Sequence, residues 1–302
     1  MQRFKIVFCC LFLFFLKIQN SKAQNNKLEN ARIVRSNNFS LAVSLSDGGR
    51  IISFQLLGKE ILTQSETEPL YFGSTLWIAP ENIWWPVNAI LDSSLFSVVN
   101  QSASSIHLIS PPIKNGIQVE KKIEISEKDS SVHIEYMISN VSSAPFFAGA
   151  WELVRTPGGK SFFPYDKPSP IKASDLKNVV YKNGLTAYYF DKKDVKSPQK
   201  LYASAKEGWL AHFSGDLLFI KTFPDIEPGK NDKGQGEVEI YVNEKASYVE
   251  LETHGLISKI KPGEQISYKT KWYLAHYNKK QDINAAAAYV RKMINDKSLN
   301  IK

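Results

Sequence analysis

The chain has 302 residues, a hydrophobic content of 43% and a formal net charge of +8 at pH 7. Four basic residues and no acidic ones fall within the first 23 positions, so the rest of the chain carries only +4, with its basic residues dispersed. A modest, dispersed charge argues against nucleic acid as the partner. The length suffices for one domain with a large hydrophobic core.

The N-terminus has the pattern of a secretory signal peptide. A basic start precedes an apolar run from Ile6 to Leu16, and small residues flank the predicted cleavage point after Ala23. The run is shorter than the about 20 apolar residues of a membrane-spanning helix. We predict a signal peptide at residues 1–23 and a mature domain at 24–302, exported to the periplasm or extracellular space. Cleavage would remove both cysteines and leave no membrane span.

Alternating apolar and polar residues dominate the chain from residue 31 onward. Alternation over residues 39–45, the turn sequence Asp47-Gly48-Gly49 and a second alternating run over residues 50–56 predict a β-hairpin. Helical spacing is clear only near the C-terminus, over residues 283–294 behind Asp282, a favourable N-cap. We therefore predict an all-β fold, a large antiparallel β-sandwich with one C-terminal helix.

The residue types that many catalytic sites require are scattered or missing. The five histidines show no paired-ligand spacing, so a metal site is not expected. The sequence has no phosphate-binding glycine loop and no nucleophile-elbow serine, and the mature chain would have no cysteine nucleophile. We expect neither a metal nor a cofactor.

Three of the six tryptophans, Trp77, Trp84 and Trp85, fall between Tyr71 and Pro86. The prolines among them favour a loop, and rings presented from loops suit sugars because the C–H faces of a pyranose stack on an aromatic face. The alternative is that the rings fill one end of the sandwich, since tryptophan is usually largely buried. We predict that the cluster lines a carbohydrate-binding groove.

A second aromatic stretch runs from residue 145 to 155. If it is a strand, Trp151 and Arg155 share one face, and Glu152 lies on the other. A buried Glu152 would need a cationic partner. For Glu152, a core strand with one paired acid is the favoured interpretation, and ligand binding is the alternative.

The segment from residue 237 to 277 predicts three successive strands. In the middle one, Val249 and Leu251 share one face, and Tyr248, Glu250 and Glu252 share the other. Two acids on one strand point the same way and cannot easily flank a glycosidic bond, which disfavours a glycosidase pair. One of them as a general base is the better hypothesis.

The ending Leu251-Glu252-Thr253-His254, followed by a Lys-Pro-Gly-Glu turn at 261–264 and a strand to Trp272, resembles the ending of aldose 1-epimerases (galactose mutarotases). Upstream, residues 71–75 (Tyr-Phe-Gly-Ser-Thr) and the stretch from Ala144 to Trp151 resemble the segments leading to that family's substrate-binding arginine and catalytic histidine. The resemblance implies a mutarotase-like sandwich, with Glu252 as the catalytic base.

The chain also departs from that pattern. The arginine position falls on Ile78 and the histidine position on Trp151, which cannot supply the acid that epimerisation requires. His254 or Glu152 would have to replace it. The order of motifs resembles most closely an uncharacterised branch of the galactose-mutarotase-like superfamily, domain of unknown function 4380.

Three functional hypotheses follow. The first is an exported carbohydrate-binding or carbohydrate-processing protein, the second a sugar epimerase with Glu252 as base, and the third a secreted structural or accessory domain without catalysis. The predicted catalytic residue is Glu252. The predicted ligand-binding residues are Trp77, Trp84, Trp85, Trp151, Glu152, Arg155 and His254.

Overall fold

The computed structural model describes residues 30–86, 89–113, 115–165, 174–230, 234–277 and 281–295. It is a sandwich of two antiparallel β-sheets of ten strands each, which confirms the predicted fold class. The predicted signal peptide and the first residues of the mature domain lie outside the described residues. Within the described ranges, no helix has the length and apolar character that crossing a membrane requires.

The first sheet forms the layer that carries the candidate site. In spatial order its strands are β1 (Ala31–Arg35), β2 (Phe39–Ser44), β3 (Arg50–Leu56), β5 (Ser74–Ala79), β10 (Phe146–Pro157), β18 (Tyr248–His254), β17 (Val238–Val242) and β14 (Gln199–Ala203). Two short strands pair at its margins, β4 (Lys59–Glu60) with β3 and β19 (Ser258–Ile260) with β10.

The second sheet forms the opposite layer. In spatial order its strands are β12 (Val179–Lys182), β13 (Leu185–Tyr189), β11 (Lys160–Pro164), β15 (Trp209–Ser214), β16 (Leu217–Thr222), β20 (Gln265–His276), β9 (Ser131–Asn140), β8 (Ile117–Ser126), β7 (Ser105–Ile109) and β6 (Ser97–Gln101). Residues 237–277 thus hold four strands rather than the three predicted, because the short β19 pairs with the start of β10.

Three helices are described. The short helices α1 (Glu81–Trp84) and α2 (Ala89–Ser93) follow β5. Helix α3 (Ile283–Asn295) is the predicted C-terminal helix, and Asp282 caps it by accepting hydrogen bonds from the backbone amides of Asn284 and Ala285. Its buried side chains pack on the outer face of the second sheet, beside Phe162 and Phe213.

The main hydrophobic core lies between the two sheets. Phe54 of the first sheet packs at ring-centroid distances of 6.4 Å from Phe219 and 5.9 Å from Trp272, both of the second sheet. The predicted β2–β3 hairpin is present, and its turn needs glycine because Gly48 has a φ of +70° and a Cβ there would lie 2.0 Å from the carbonyl oxygen of Leu91.

A buried ion pair joins the sheets inside this core. Glu152 of β10 is fully buried, and its carboxylate lies 2.9 Å from Nζ of Lys221 of β16. The hydroxyl of Tyr136 donates to the same carboxylate at 2.9 Å. Glu152 therefore faces the second sheet, where its partners satisfy it, which is the arrangement of a core strand with one paired acid. Ligand binding by Glu152 stays a prediction that this geometry does not support.

We predict that Lys221→Met lowers the free energy of unfolding by about 3–5 kcal/mol, since it leaves the Glu152 carboxylate buried without its cation. Urea denaturation monitored by tryptophan fluorescence measures the change. Lys271→Met is the matched control, because Lys271 is a half-exposed lysine paired with Asp129 at 3.1 Å, and its loss should lower the free energy of unfolding by less than about 1 kcal/mol. Equal costs for the two variants would contradict the structural role of the inter-sheet pair.

Candidate functional site

The outward side chains of the first sheet lie in three rows across neighbouring strands. Each row is a line of residues paired from strand to strand. The first row is Trp77, Trp151 and His254, and the second is Leu153, Glu252 and Glu239. The third row is Arg155, Glu250 and Tyr241. Successive same-face residues on a strand are about 7 Å apart, so each row lies about that far from the next.

The first row presents a continuous series of rings. Trp85 lies 5.7 Å from Trp77 between ring centroids, Trp77 lies 5.1 Å from Trp151, and Trp151 stacks on His254 at 5.4 Å. Trp85 is 56% exposed, whereas the other three are nearly buried. These four residues, called the aromatic row below, lead from solvent to the buried interior of the site.

The aromatic row ends at a group of charged side chains, called the carboxylate cluster below: Glu239, Glu252, His254 and Lys200. The indole N–H of Trp151 donates to Glu252 at 2.7 Å. Nζ of Lys200 lies 2.9 Å from Glu252 and 2.5 Å from Glu239. Nε2 of His254 lies 3.6 Å from Glu239 and 4.0 Å from Glu252. Glu252 therefore forms a compact acidic pair with Glu239 of the neighbouring strand, through the shared ammonium of Lys200.

Lys200 is held by rings as well as by carboxylates. Its ammonium lies 5.1 Å from the centroid of Trp151 and 5.9 Å from that of Tyr241, distances at which cation–π attraction operates. Burial alone would lower the pKa of Lys200, but the carboxylates of Glu252 and Glu239 raise it well above its usual range. The lysine is therefore a fixed positive charge at neutral pH.

The two carboxylates differ in pKa although they share one cation. Burial raises the pKa of Glu252 to about 8, against the attraction of Lys200, and the negative charge of Glu239 adds to the rise. For Glu239, burial is outweighed by His254 and Lys200, which lower its pKa to about 2. The pair therefore keeps one proton at neutral pH, and Glu252 is the member whose pKa is raised.

Glu239, Glu252 and His254 offer oxygen and nitrogen atoms within 4.8 Å of one another, a spacing that could suit a metal ion. Lys200, however, already lies in contact with both carboxylates. A divalent cation would have to displace this ammonium from a buried position. The residues present therefore fit an internal ammonium better than a metal.

The third row contains a second buried ion pair. Nε of Arg155 donates to Glu250 at 2.8 Å, and both side chains are almost fully buried. The guanidinium carbon lies 5.6 Å from the ring centroid of Tyr71 and 5.5 Å from that of Trp77. Arg155 thus lies on the same face as the aromatic row, as the predicted alternation of its strand requires.

The structure brings together most of the predicted site residues. Trp77, Trp85, Trp151, Arg155, Glu252 and His254 lie on the outer face of the first sheet. Trp84 instead anchors helix α1, because its indole N–H donates to the carbonyl of Phe147 and its ring lies 5.6 Å from that of Phe146.

Two expectations about the tryptophans and the groove need correction. Trp77 does not lie in a loop but in β5, a central strand buried on both faces, where apolar residues need not alternate with polar ones. The expected groove is closed over the polar residues, since Glu252 is 1% and Trp151 3% exposed. Trp85 and Tyr71 are the exposed rings at its margin.

Sequence analysis missed Glu239 and Lys200. A signal for Glu239 exists, because in Val238–Val242 it alternates with buried apolar residues and so shares a face with Tyr241. No local signal identifies Lys200, which lies on the edge strand β14 and reaches the site only because β14 pairs with β17.

We predict that the stabilising contribution of Glu252 decreases as pH rises. Its pKa in the folded state is raised, so between about pH 4.5 and 8 the unfolded chain releases a proton that the folded protein keeps, and folding becomes less favourable. The unfolding free energy of the unmutated protein minus that of Glu252→Gln should fall by at least about 1.4 kcal/mol, one pKa unit, from pH 5 to pH 8.

Urea titrations at the two pH values provide this difference. Glu264→Gln is the control, because Glu264 lies at an exposed turn and its pKa is lowered by hydrogen bonding to the backbone of Lys261. The unfolding free energy of the unmutated protein minus that of Glu264→Gln should not fall from pH 5 to pH 8. A constant or rising difference for Glu252→Gln would show that Glu252 is ionised in the folded protein at neutral pH.

Solved structures share the architecture. A galactose mutarotase-like protein from Lactobacillus casei superposes with a TM-score of 0.59 at 11% identity, covering 81% of this chain and 99% of that one. A putative aldose 1-epimerase from Escherichia coli K12 gives a TM-score of 0.57 at 11% identity, covering 82% and 99%. A galactose mutarotase related enzyme from Lactobacillus acidophilus gives 0.57 at 10% identity, covering 82% and 98%. At such identities the similarity shows the fold alone.

No curated protein matches the chain in sequence. The fold nevertheless confirms the mutarotase-like sandwich that the sequence motifs implied. The sequence model of the family described as Domain of unknown function (DUF4380) matches residues 80–275, which is more than half of the chain and includes most strands of the candidate site. The chain belongs to the DUF4380 family.

Proposed function

We propose that the protein binds a carbohydrate on the outer face of the first sheet. A pyranose stacks at the exposed end of the aromatic row, and its hydroxyls reach the carboxylate cluster once the nearly buried site opens. The observation that carries the proposal is the direct junction of the two features, in which the Trp151 ring stacks on His254 while its indole N–H donates to Glu252. The fold shared with proteins named galactose mutarotase-like supports it.

Unsatisfied polar atoms support the same proposal. Nδ1 of His254 and Nε1 of Trp77 are buried and, among the described residues, have no hydrogen-bond partner. An unmade buried hydrogen bond typically costs about 1–3 kcal/mol. Sugar hydroxyls both donate and accept, so a bound sugar would supply the partners that these atoms lack.

We predict that Trp85→Ala weakens carbohydrate binding about five- to thirtyfold, since losing one stacked ring removes roughly 1–2 kcal/mol. Folding stability should change little, because the side chain is 56% exposed. A glycan array identifies the ligand, and isothermal titration calorimetry compares the variants. Tyr181→Ala is the matched control, because Tyr181 is 59% exposed on β12 of the other sheet.

Unchanged affinity in Trp85→Ala would remove the aromatic row from the binding surface. If no glycan binds at all, the remaining hypothesis is an accessory domain without a ligand. A loss of affinity in Tyr181→Ala equal to that in Trp85→Ala would mean that the effect is not local to the site.

Sugar epimerisation is a second candidate, favoured by the separated pKa values of Glu252 and Glu239. Such a separation is what acid–base catalysis requires of two carboxyls. A carboxylate would accept the proton of the anomeric hydroxyl while the protonated partner donates to the ring oxygen, so that the bond between C1 and the ring oxygen breaks. Glu252 holds the cluster's proton, so within this pair it would have to serve as the acid, which reverses the role that the family resemblance implies.

Polarimetry with freshly dissolved glucose and galactose separates binding from epimerisation. As a binder, the protein should leave the rate of mutarotation almost unchanged, because binding alone transfers no proton at the anomeric centre. A strong acceleration that Glu252→Gln and Glu239→Gln both abolish would establish the epimerase instead.

We also propose that the protein acts after export, on the basis of the signal sequence at residues 1–23. Intact mass spectrometry of the exported form checks this. An N-terminus at Gln24 is expected, and retention of the cysteine-containing segment would contradict it.

A further inference from the structure

Arg155 has hydrogen-bonding capacity that the protein itself does not use. It is 1% exposed, and Nε donates to Glu250 at 2.8 Å. Its two terminal nitrogens, Nη1 and Nη2, are buried and have no acceptor within the part of the chain that the structure describes. A buried guanidinium whose two terminal nitrogens have no acceptor is unusual, because buried polar groups are normally hydrogen-bonded.

Two rings flank this guanidinium at the margin of the site. Trp77 belongs to the aromatic row and is 7% exposed, whereas Tyr71 is 47% exposed and precedes β5. Leu70, next to Tyr71, is 73% exposed. Of the two rings, Tyr71 is therefore the one that can move aside without breaking the packed core.

The unpaired nitrogens suit a carboxylate in particular. The guanidinium fork presents parallel N–H groups that match the two oxygens of a carboxylate, and such charge-assisted pairs are stronger than bonds to neutral hydroxyls. The nearby acids bind other groups in this structure. Oε1 of Glu250 accepts from Nε of Arg155, and Oδ1 of Asp92 accepts from Arg50 at 2.7 Å and from the Thr75 hydroxyl at 3.0 Å.

The distance from Arg155 to the carboxylate cluster sets the size of the ligand. Arg155 pairs with Glu250, and Glu252 lies one row further along the same face, so backbone positions 155 and 252 are diagonal neighbours about 7–8 Å apart. This is roughly the span of one pyranose from its anomeric hydroxyl on C1 to a carboxylate carried by C5, on the other side of the ring oxygen.

We propose that the ligand is a sugar acid, a pyranose whose ring carboxylate binds Nη1 and Nη2 of Arg155 once Tyr71 moves aside, with its anomeric end at Glu252. This inference rests on the proposed carbohydrate binding and adds the chemical class of the sugar. The carboxylate of Glu250 repels the carboxylate of the ligand, so replacing Glu250 with a neutral residue should strengthen the binding of sugar acids relative to neutral sugars.

Isothermal titration calorimetry of the mature protein at pH 7 tests the inference with galacturonate against galactose, glucuronate against glucose, and acetate alone. At least one acid should bind about tenfold more tightly than its neutral counterpart, and acetate should bind much more weakly. Arg155→Lys should bring the ratio of acid affinity to neutral-sugar affinity close to one, because an ammonium lacks the parallel N–H groups of a guanidinium. Glu250→Gln, a second variant in case Arg155→Lys does not fold, should increase that ratio severalfold.

The outcomes separate this inference from the proposed function. Neutral sugars that bind in a Trp85-dependent manner, with acids no tighter, would contradict the sugar acid and leave carbohydrate binding intact. Acetate binding as tightly as the uronates would show a simple anion site and overturn the inference too. Absence of binding by acidic and neutral sugars alike would contradict the proposed function and this inference together.

Discussion

The candidate site depends on one ammonium shared by two buried carboxylates. Lys200 contacts Glu239 and Glu252 and is enclosed by rings, among them Trp151 and Tyr241. Without this cation, two adjacent carboxyls could not lie buried on neighbouring strands, because desolvation and mutual repulsion would both oppose ionisation. With it, one carboxyl is ionised and the other retains its proton. The cluster thus combines acceptor and donor character in one buried position.

The sandwich creates this position by using the two faces of β10 and β18 differently. Glu152 and Leu251 face the second sheet, and Glu152 is neutralised there by Lys221. Trp151 and Glu252, their neighbours in sequence, face outward and meet at a hydrogen bond of 2.7 Å. Two charged systems are therefore separated by the thickness of one sheet. The inner pair joins the two sheets, and the outer carboxylate cluster lies on the face of the proposed binding site.

Much of the fold follows from local sequence rules. The alternation in Tyr248–Glu252 correctly assigned Glu250 and Glu252 to one face, and Asp282 correctly marked the start of α3. Trp77 was misplaced in a loop because both faces of its strand are covered, which removes the alternation that identifies a half-buried strand. Lys200 could not be found because it lies 52 residues from Glu252, and only the pairing of β14 with β17 joins them.

The protonation of the carboxylate cluster can be measured directly by following the side-chain carboxyl carbons of ¹³C-labelled glutamate by NMR as a function of pH. Glu252→Gln and Glu239→Gln assign the two signals, which is necessary because burial also raises the pKa of Glu237, to about 7. The account predicts one carboxyl titrating near pH 8 that disappears in Glu252→Gln. It also predicts that the Glu239 signal stays ionised down to about pH 2. Two signals titrating together near pH 4.5 would contradict a cluster that shares one ammonium and one proton.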